Sequence, residues 1–401
     1  IFRMSIFSFI WFAKIVIQIP YFCAMRFLTA DFLYPLHTSP KKEGVLQISD
    51  KGEVIAILEN KTDIPKEKLE VFEGILCPGF VNAHCHLELS HLLGIAKKGR
   101  GFLEFVGAIK KRDAFSKLEI QEAIERAEMQ MIINGIVAVG DICNTTDTLL
   151  QKQKANLYYY NFIETFQVHE DMIEQTIKDA LQIRNEFRQA KMKATIVPHS
   201  PFSVPPNLTE EIANTFDEDD ELLTIHLQET KAENQLFEKK SGILFDWLQK
   251  MKANTEIWEK REKSTDVLEE IVNRKILIVH NTFAKKKDIT DNYYCTCPKA
   301  NLYIENTLPD YSIFNTDKLC IGTDSLASNN SLSILEELQI IQENTIFDLN
   351  TLLKMASKNG AEAMGFENLG TFEKGKIPGV NLIKSMDGMK FTDWSFIEKL
   401  N

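Results

Sequence analysis

The chain has 401 residues, of which 44% are hydrophobic and 26% are charged, which is the composition of a globular protein with a full core. Its 46 Lys and Arg residues against 57 Asp and Glu residues give a formal net charge of -11. This balance excludes nucleic-acid binding, because phosphates must be neutralised by basic side chains. The seven cysteines are scattered and the closest pair is C-x-C, which indicates a reducing, cytoplasmic setting rather than a disulfide framework.

Residues 1–24 form an apolar and aromatic extension, "IFRMSIFSFIWFAKIVIQIPYFCA". Three interpretations stay open: a signal sequence, a membrane anchor, or a stretch outside the native protein with translation starting at Met25. Lys14 and Pro20 count against a membrane-spanning helix, because a charge and a helix breaker interrupt the apolar run. The expectation is therefore a protein without a membrane partner.

Residues 25–74 and 367–401 both have the pattern of short strands separated by turn residues. The first segment contains "RFLTADFLYPL" and "GVLQISDKGEVIAIL", and the second contains "GTFEKGKIPGVNLI". We expect the two segments to combine into one small composite β-sandwich domain, with the intervening chain forming the main domain.

Residues 75–366 alternate short apolar runs with longer amphipathic stretches. Eight such runs are typical of parallel strands that are covered by helices, and they predict a (β/α)8 TIM barrel. Ser333 precedes Glu336 by three residues, which predicts a helix start after the eighth run. The runs are "GFVNAH", "IVAVGDI", "NLYYYNFIE", "KATIVPHS", "ELLTIHLQE", "KILIVHN", "NYYCTCPKAN" and "LCIGTDS".

Polar side chains terminate most of these apolar runs. Five of the eight histidines, together with one aspartate, lie at the ends: His84, His86, His199, His226, His280 and Asp324. In a parallel barrel the carboxyl ends of all strands meet at one face, so these residues should surround a single cavity. His84 and His86 are two apart on a strand and should point to the same side.

Three neutral imidazoles and one carboxylate suit a zinc-like ion with a coordination position open for water, although Fe(II) accepts the same donors. Glu229 follows His226 by three residues and could serve as a proton shuttle, and His280 could orient the nucleophile. Each residue taken alone has a plainer interpretation: a buried core histidine, an aspartate that caps a turn, or a solvated surface glutamate.

Six ordered segments resemble the amidohydrolase superfamily, in particular its one-metal branch that deaminates nucleosides and purines. The segments are "PGFVNAHCH", "VPHSPFSVPP", "IHLQET", "VHN", "CPKANL" and "GTDSLASNNSLSILEEL". The fourth run ends "IVPHS" without the lysine that two-metal relatives carry there, so the resemblance is to the one-metal branch.

The resemblance implies a role for each candidate residue. His84, His86, His226 and Asp324 are implied to bind one divalent metal, most simply Zn²⁺. Asp324 is also implied to act in catalysis, together with Glu229 as proton shuttle and His280 as the residue that orients the nucleophile. His199 is implied to contact the substrate, and Glu88 is a candidate contact to the ribose with a structural role equally open.

The segment "HCHLELSHLLGIAKKGRGFLEFVGAIKKR" is similar to aminodeoxyfutalosine deaminases, whereas "GTDSLASNNSL" is equally similar to adenosylhomocysteine and methylthioadenosine deaminases. The resemblance therefore implies hydrolytic deamination of an adenosine-type nucleoside, with a small-molecule partner. A guanine- or triazine-type aminohydrolase or chlorohydrolase stays open, as does a non-catalytic scaffold of the same fold. A homo-oligomer is also left open.

Overall fold

The computed structural model describes residues 25–59, 61–218, 220, 222–262, 264–270 and 274–400, so the apolar extension at 1–24 lies outside the described residues. The strands are β1 Arg26–Thr29, β2 Phe32–Leu33, β3 Lys41–Lys42, β4 Val45–Ile48, β5 Val54–Leu58, β6 Leu69–Val71, β7 Ile75–Pro78, β8 Phe80–Cys85, β9 Ile136–Cys143, β10 Tyr158–Thr165, β11 Lys193–Pro198, β12 Leu222–Leu227, β13 Lys275–His280, β14 Tyr293–Thr296, β15 Leu319–Ile321, β16 Val380–Lys384 and β17 Phe396–Lys399. The α-helices are α1 Phe102–Ile109, α2 Lys117–Ile133, α3 Leu149–Lys152, α4 Ile173–Gln189, α5 Pro206–Asn214, α6 Lys231–Lys239, α7 Ile243–Lys250, α8 Pro298–Ile304, α9 Ile334–Asn344, α10 Leu349–Ala356 and α11 Lys358–Ala363.

The eight predicted strands are present as β8 to β15, and they form two parallel four-stranded sheets. One sheet has the order β11-β10-β9-β8 and the other has the order β12-β13-β14-β15. The strands read as near-continuous apolar runs because both of their faces are covered. Backbone bonds join the sheets at both edges: His226 N donates to His199 O at 2.9 Å, and Thr323 N donates to His84 O at 3.0 Å.

Helix starts follow local capping rules. Ser116 and Glu119 form a reciprocal capping box at the start of α2. The predicted start after the eighth run is confirmed, since Ser333 caps α9 and its hydroxyl accepts a hydrogen bond from Glu336 N. Instead of bonding the backbone N of Ser333, as in a full capping box, the Glu336 carboxylate accepts a hydrogen bond from the Ser331 hydroxyl at 2.7 Å.

Strands from both ends of the described chain share a second pair of sheets. A five-stranded sheet has the order β17-β16-β7-β2-β3, and a four-stranded sheet has the order β5-β4-β1-β6. The apolar side chains Leu28, Leu46, Leu76, Val380 and Leu382 are fully buried in one cluster that draws on both sheets. The start and the end of the described chain are therefore packed together.

The cysteines of the described residues are all buried and free, as the sequence predicts: Cys77, Cys85, Cys143, Cys295, Cys297 and Cys320. Within the same part of the chain, every helix is too short or too polar to cross a bilayer.

Candidate metal centre

Four predicted ligands converge where the strands of both parallel sheets end. His84 Nε2 lies 3.2 Å from His86 Nε2, which in turn lies 3.3 Å from His226 Nε2. Asp324 Oδ1 lies 3.3 Å from His86 Nε2 and 3.6 Å from His84 Nε2. The structure thus brings together three imidazoles and a carboxylate from β8 and the residue that follows it, from β12 and from the turn after β15.

The spacing of these donors fits a single tetrahedral ion. A zinc ion with Zn–N distances of about 2.0–2.1 Å separates its nitrogen ligands by about 3.3–3.4 Å. The Nε2 atoms of His84 and His86 are 3.2 Å apart, and those of His86 and His226 are 3.3 Å apart, both close to this spacing. Imidazole nitrogens and a carboxylate oxygen at such separations are a donor set that fits a divalent metal.

Burial sets the protonation states of the same groups. It lowers the pKa of His86 to about 3 and holds the pKa of His226 well below its usual value. Burial alone raises the pKa of Asp324, but its interactions with the neighbouring imidazoles of His84, His86 and His280 outweigh burial and lower that pKa. Neutral imidazoles beside an ionised carboxylate are the forms that bind a divalent metal.

Groups behind the donors fix their orientation. His226 Nδ1 lies 2.9 Å from the backbone carbonyl oxygen of His199. Because a carbonyl oxygen only accepts hydrogen bonds, Nδ1 carries the ring proton, and the lone pair of Nε2 is free to bind a metal. Glu164 Oε1 lies 3.4 Å from the same Nδ1 atom. The Ser328 hydroxyl donates to Asp324 Oδ2, which directs the other carboxylate oxygen toward the imidazoles.

The backbone is strained at the centre. Three residues have φ angles in the left-handed region, which residues other than glycine rarely adopt: Gln228 at 52°, His280 at 69° and Asp324 at 54°. Such strain persists only where surrounding contacts enforce it, and it is concentrated at functional sites. Here it turns the chain sharply where the strands end.

Glu229 and His280 form a second group beside the four donors. Glu229 Oε1 lies 3.7 Å from His280 Nε2, and both side chains are buried. His280 Nδ1 lies 2.9 Å from Asn301 Oδ1, to which it donates, so Nε2 is left to face Glu229. Burial raises the pKa of Glu229 well above its usual value, and the negative charge of Asp324 adds to this shift. Burial therefore favours the protonated form of the Glu229 carboxyl group.

His199 borders the same centre. Its ring centroid lies 4.9 Å from that of His226. Its Nδ1 atom lies 2.7 Å from the Ser203 hydroxyl and 2.9 Å from the Ser200 hydroxyl, which fixes the ring against the loop after β11. Burial lowers the pKa of His199 to about 4. The ring is therefore a neutral group at the edge of the centre, and its contact with substrate stays a prediction.

Glu88 is fully buried in the turn after β8, and its carboxylate contacts protein donors. Arg112 donates to Oε1 at 2.9 Å, and Thr145 donates to Oε2 from its backbone N at 3.0 Å and its hydroxyl at 2.9 Å. Asn144 N also donates to Oε2, at 3.2 Å. These contacts tie the turn to the end of β9, and a ribose contact for Glu88 stays a prediction.

Two acidic residues near the centre were missed in the sequence. Glu164 is the penultimate residue of β10, and burial raises its pKa to about 8. Asp141 accepts a hydrogen bond from Leu87 N at 2.7 Å and pairs with the fully buried Lys152 at 2.5 Å, so it supports the turn that follows His86. Glu164 could have been found, because it terminates the run "NLYYYNFIE" as the histidines terminate theirs.

Comparison with known proteins identifies the family of this chain. A model of the amidohydrolase family matches residues 75–398. The chain belongs to the amidohydrolase family. Family membership and the relatives described next confirm the predicted resemblance and the enzyme class, a hydrolase that acts on carbon–nitrogen bonds other than peptide bonds.

The amidohydrolase is 24% identical over 355 residues to the aminodeoxyfutalosine deaminase of a Nitratiruptor species, with 84% of this chain and 86% of that protein aligned. Its fold matches the crystal structure of Helicobacter pylori aminofutalosine deaminase in complex with methylthio-coformycin, with a TM-score of 0.79, 22% identity and coverage of 92% and 93%. A zinc-bound adenosine deaminase from Xanthomonas campestris gives a TM-score of 0.68 at 18% identity, covering 89% of this chain and 84% of that one.

Proposed function

We propose that this amidohydrolase deaminates an adenosine-type nucleoside by hydrolysis and releases ammonia. The observation that carries the proposal is the cluster of the His84, His86 and His226 imidazoles, with the Asp324 carboxylate 3.3 Å from His86 Nε2. Glu229 and His280 lie beside this cluster. Three imidazoles and a carboxylate hold one divalent ion, and a buried acid next to them supplies the proton that ring deamination needs.

In the proposed reaction His84, His86, His226 and Asp324 hold the metal. A bound divalent ion lowers the pKa of water from 15.7 towards about 7 and so supplies a nucleophile at neutral pH. Glu229 donates its carboxyl proton to the ring nitrogen next to the amino-bearing carbon, which makes that carbon electrophilic. Asp324 takes up one proton of the water as the remaining hydroxyl adds to the ring carbon, and it then delivers this proton to the amino group, which leaves as ammonia. The proton of the added hydroxyl passes to Glu229 as the ring carbonyl forms, which restores the acid.

His280 and His199 have supporting roles in this proposal. His280 keeps its Nδ1 proton on Asn301, so its Nε2 atom can accept a hydrogen bond and orient the attacking water. His199 is fixed through Nδ1 by two serine hydroxyls and offers its other edge to the purine. Glu88 is kept as a candidate ribose contact.

The proposed metal is Zn²⁺, supported by the zinc in the Xanthomonas structure and by the nitrogen-rich donor set. Fe²⁺ accepts the same ligands. The proposed substrate is aminodeoxyfutalosine or another adenosine modified at the 5′ position. Its support is the Nitratiruptor relative and the H. pylori protein that binds methylthio-coformycin.

We further propose that the two parallel sheets close into one (β/α)8 barrel over residues 75–366. The bonds at both sheet edges support closure, because a closed barrel leaves no unpaired edge strand. Residues 25–74 and 367–401 would then form the composite β-sandwich, supported by the pairing of β7 with β16 and by the shared apolar cluster.

An ammonia-release screen tests the proposed function. Purified protein loaded with zinc is given adenosine, 5′-methylthioadenosine, adenosylhomocysteine, aminodeoxyfutalosine, guanine and a chloro-amino-triazine, with ammonia and chloride measured separately. We expect the highest kcat/KM for a 5′-modified adenosine, with ammonia as the released group. Turnover of guanine or of the triazine alone would contradict the proposal, and so would a fully metal-loaded protein that releases neither product.

A further inference from the structure

Gln228 lies between the proposed ligand His226 and the proposed acid Glu229. On a regular strand, residues three positions apart point to opposite faces, so both could not face one cavity. Gln228 has a φ angle of 52°, and this left-handed residue breaks the alternation after β12. The orientation of Glu229 toward His280 therefore depends on keeping Gln228 in a conformation that glutamine seldom adopts.

Glu233 holds the backbone of Gln228 in this conformation. Glu233 Oε1 accepts a hydrogen bond from Gln228 N at 2.9 Å, and both residues are buried, Glu233 completely. Glu233 lies in the first turn of α6, whose start is fixed by the Thr230 side chain, so its carboxylate is anchored to a rigid element.

Two further polar groups of Gln228 bind the segment that follows His280. Its carbonyl accepts a hydrogen bond from Phe283 N at 3.1 Å, and its side-chain Nε2 donates to Asp288 Oδ2 at 3.1 Å. Nearby, Asn281 N donates to Leu227 O at 3.0 Å. Gln228 thus joins the loop that carries Glu229 to the segment that directly follows His280.

We propose that Glu233 is a positioning residue for catalysis, which acts by fixing Gln228 and so sets Glu229 against His280. The inference rests on the proposed function, because it assigns Glu233 a part in the reaction that Glu229 performs. Glu233 itself binds a backbone amide, so it acts on the chemistry only through the loop.

Two substitutions separate this role from a general contribution to folding. Glu233→Leu is close in size and removes the acceptor, whereas Glu233→Gln keeps an oxygen that can accept the bond from Gln228 N. We expect Glu233→Leu to lower kcat on the order of 10²-fold, because a displacement of about 1 Å at a reacting group has that effect. We expect unchanged KM and bound metal in Glu233→Leu and near-normal kcat in Glu233→Gln. Glu238→Leu, an exposed position on the same helix, is the matched control and should match the wild type.

Crystal structures of the variants give a readout that does not depend on activity. We expect the 3.7 Å separation of Glu229 Oε1 and His280 Nε2 to lengthen in Glu233→Leu and to be kept in Glu233→Gln. If Glu233→Leu does not fold, Glu233→Asp is used in its place. We expect the same changes in kcat and in the Glu229–His280 separation, but smaller ones, because the aspartate side chain is one methylene shorter. An unchanged separation with wild-type kcat would overturn the inference, as would loss of metal together with kcat. A wild-type protein without deaminase activity would instead overturn the proposed function, and the measured separation would still decide the role of Glu233.

Discussion

The Glu229→Gln variant is expected to keep its metal and to lose most of its turnover, with kcat lower by about 10²–10⁴-fold. Glutamine has nearly the same shape as glutamate, so the packing around position 229 should be kept. A glutamine amide, however, cannot donate a carboxyl proton. The wild-type Glu229 side chain is buried, and burial raises its pKa and so favours the protonated form that can act as the donor. The proton transfer to the ring nitrogen would therefore fail while the four ligands stay in place.

Steady-state kinetics on the best substrate of the screen, combined with metal analysis of the same samples, measures this outcome. Glu211→Gln makes the same chemical change at an exposed position on α5 and serves as the control. A wild-type kcat in Glu229→Gln would show that Glu229 is not the proton donor. Loss of metal from Glu229→Gln would show instead that its carboxylate supports the ligands.

The His226→Ala variant is expected to lose metal and activity together. His226 is the proposed ligand from β12, and its Nε2 atom lies 3.3 Å from His86 Nε2, so its removal should open one side of the donor set. Removing only a group behind a ligand typically weakens metal binding by about 10–100-fold, and removing a ligand should weaken it further.

Metal content after dialysis against a weak chelator, followed by the ammonia assay, tests this expectation. His37→Ala is the matched control, because this histidine is exposed and lies outside the metal centre. A full metal equivalent in dialysed His226→Ala would exclude His226 as a ligand. Equal losses in both variants would indicate that the metal is not held at this centre.

The positions of the candidate ligands could be predicted from the sequence because of a general property of parallel sheets. The ends of apolar runs are visible in a sequence, and the carboxyl ends of parallel strands meet at one edge. Strand alternation predicts that His84 and His86 point to the same side. The positions of His226 and Asp324 at the ends of later apolar runs predict that they lie at the same face of the barrel. In the structure each of the four side chains has a nitrogen or carboxylate oxygen atom that lies 3.2–3.6 Å from such an atom of another of the four.

The groups that orient these residues could not be predicted in the same way. Glu233 matters because it accepts a hydrogen bond from Gln228 N, and that bond depends on how α6 begins and on a left-handed residue. The contact of Glu88 with Arg112 joins residues 24 apart and depends on how two loops pack. Sequence periodicity describes which face of an element is buried, but it carries no information on such contacts between elements.

Anomalous diffraction at the zinc edge, recorded from crystals of the zinc-loaded protein, tests the central claim most directly. The account predicts one strong peak at about 2.0–2.2 Å from the Nε2 atoms of His84, His86 and His226 and from a carboxylate oxygen of Asp324. A peak bound by other residues, or the lack of any peak within bonding distance of these four side chains, would contradict it.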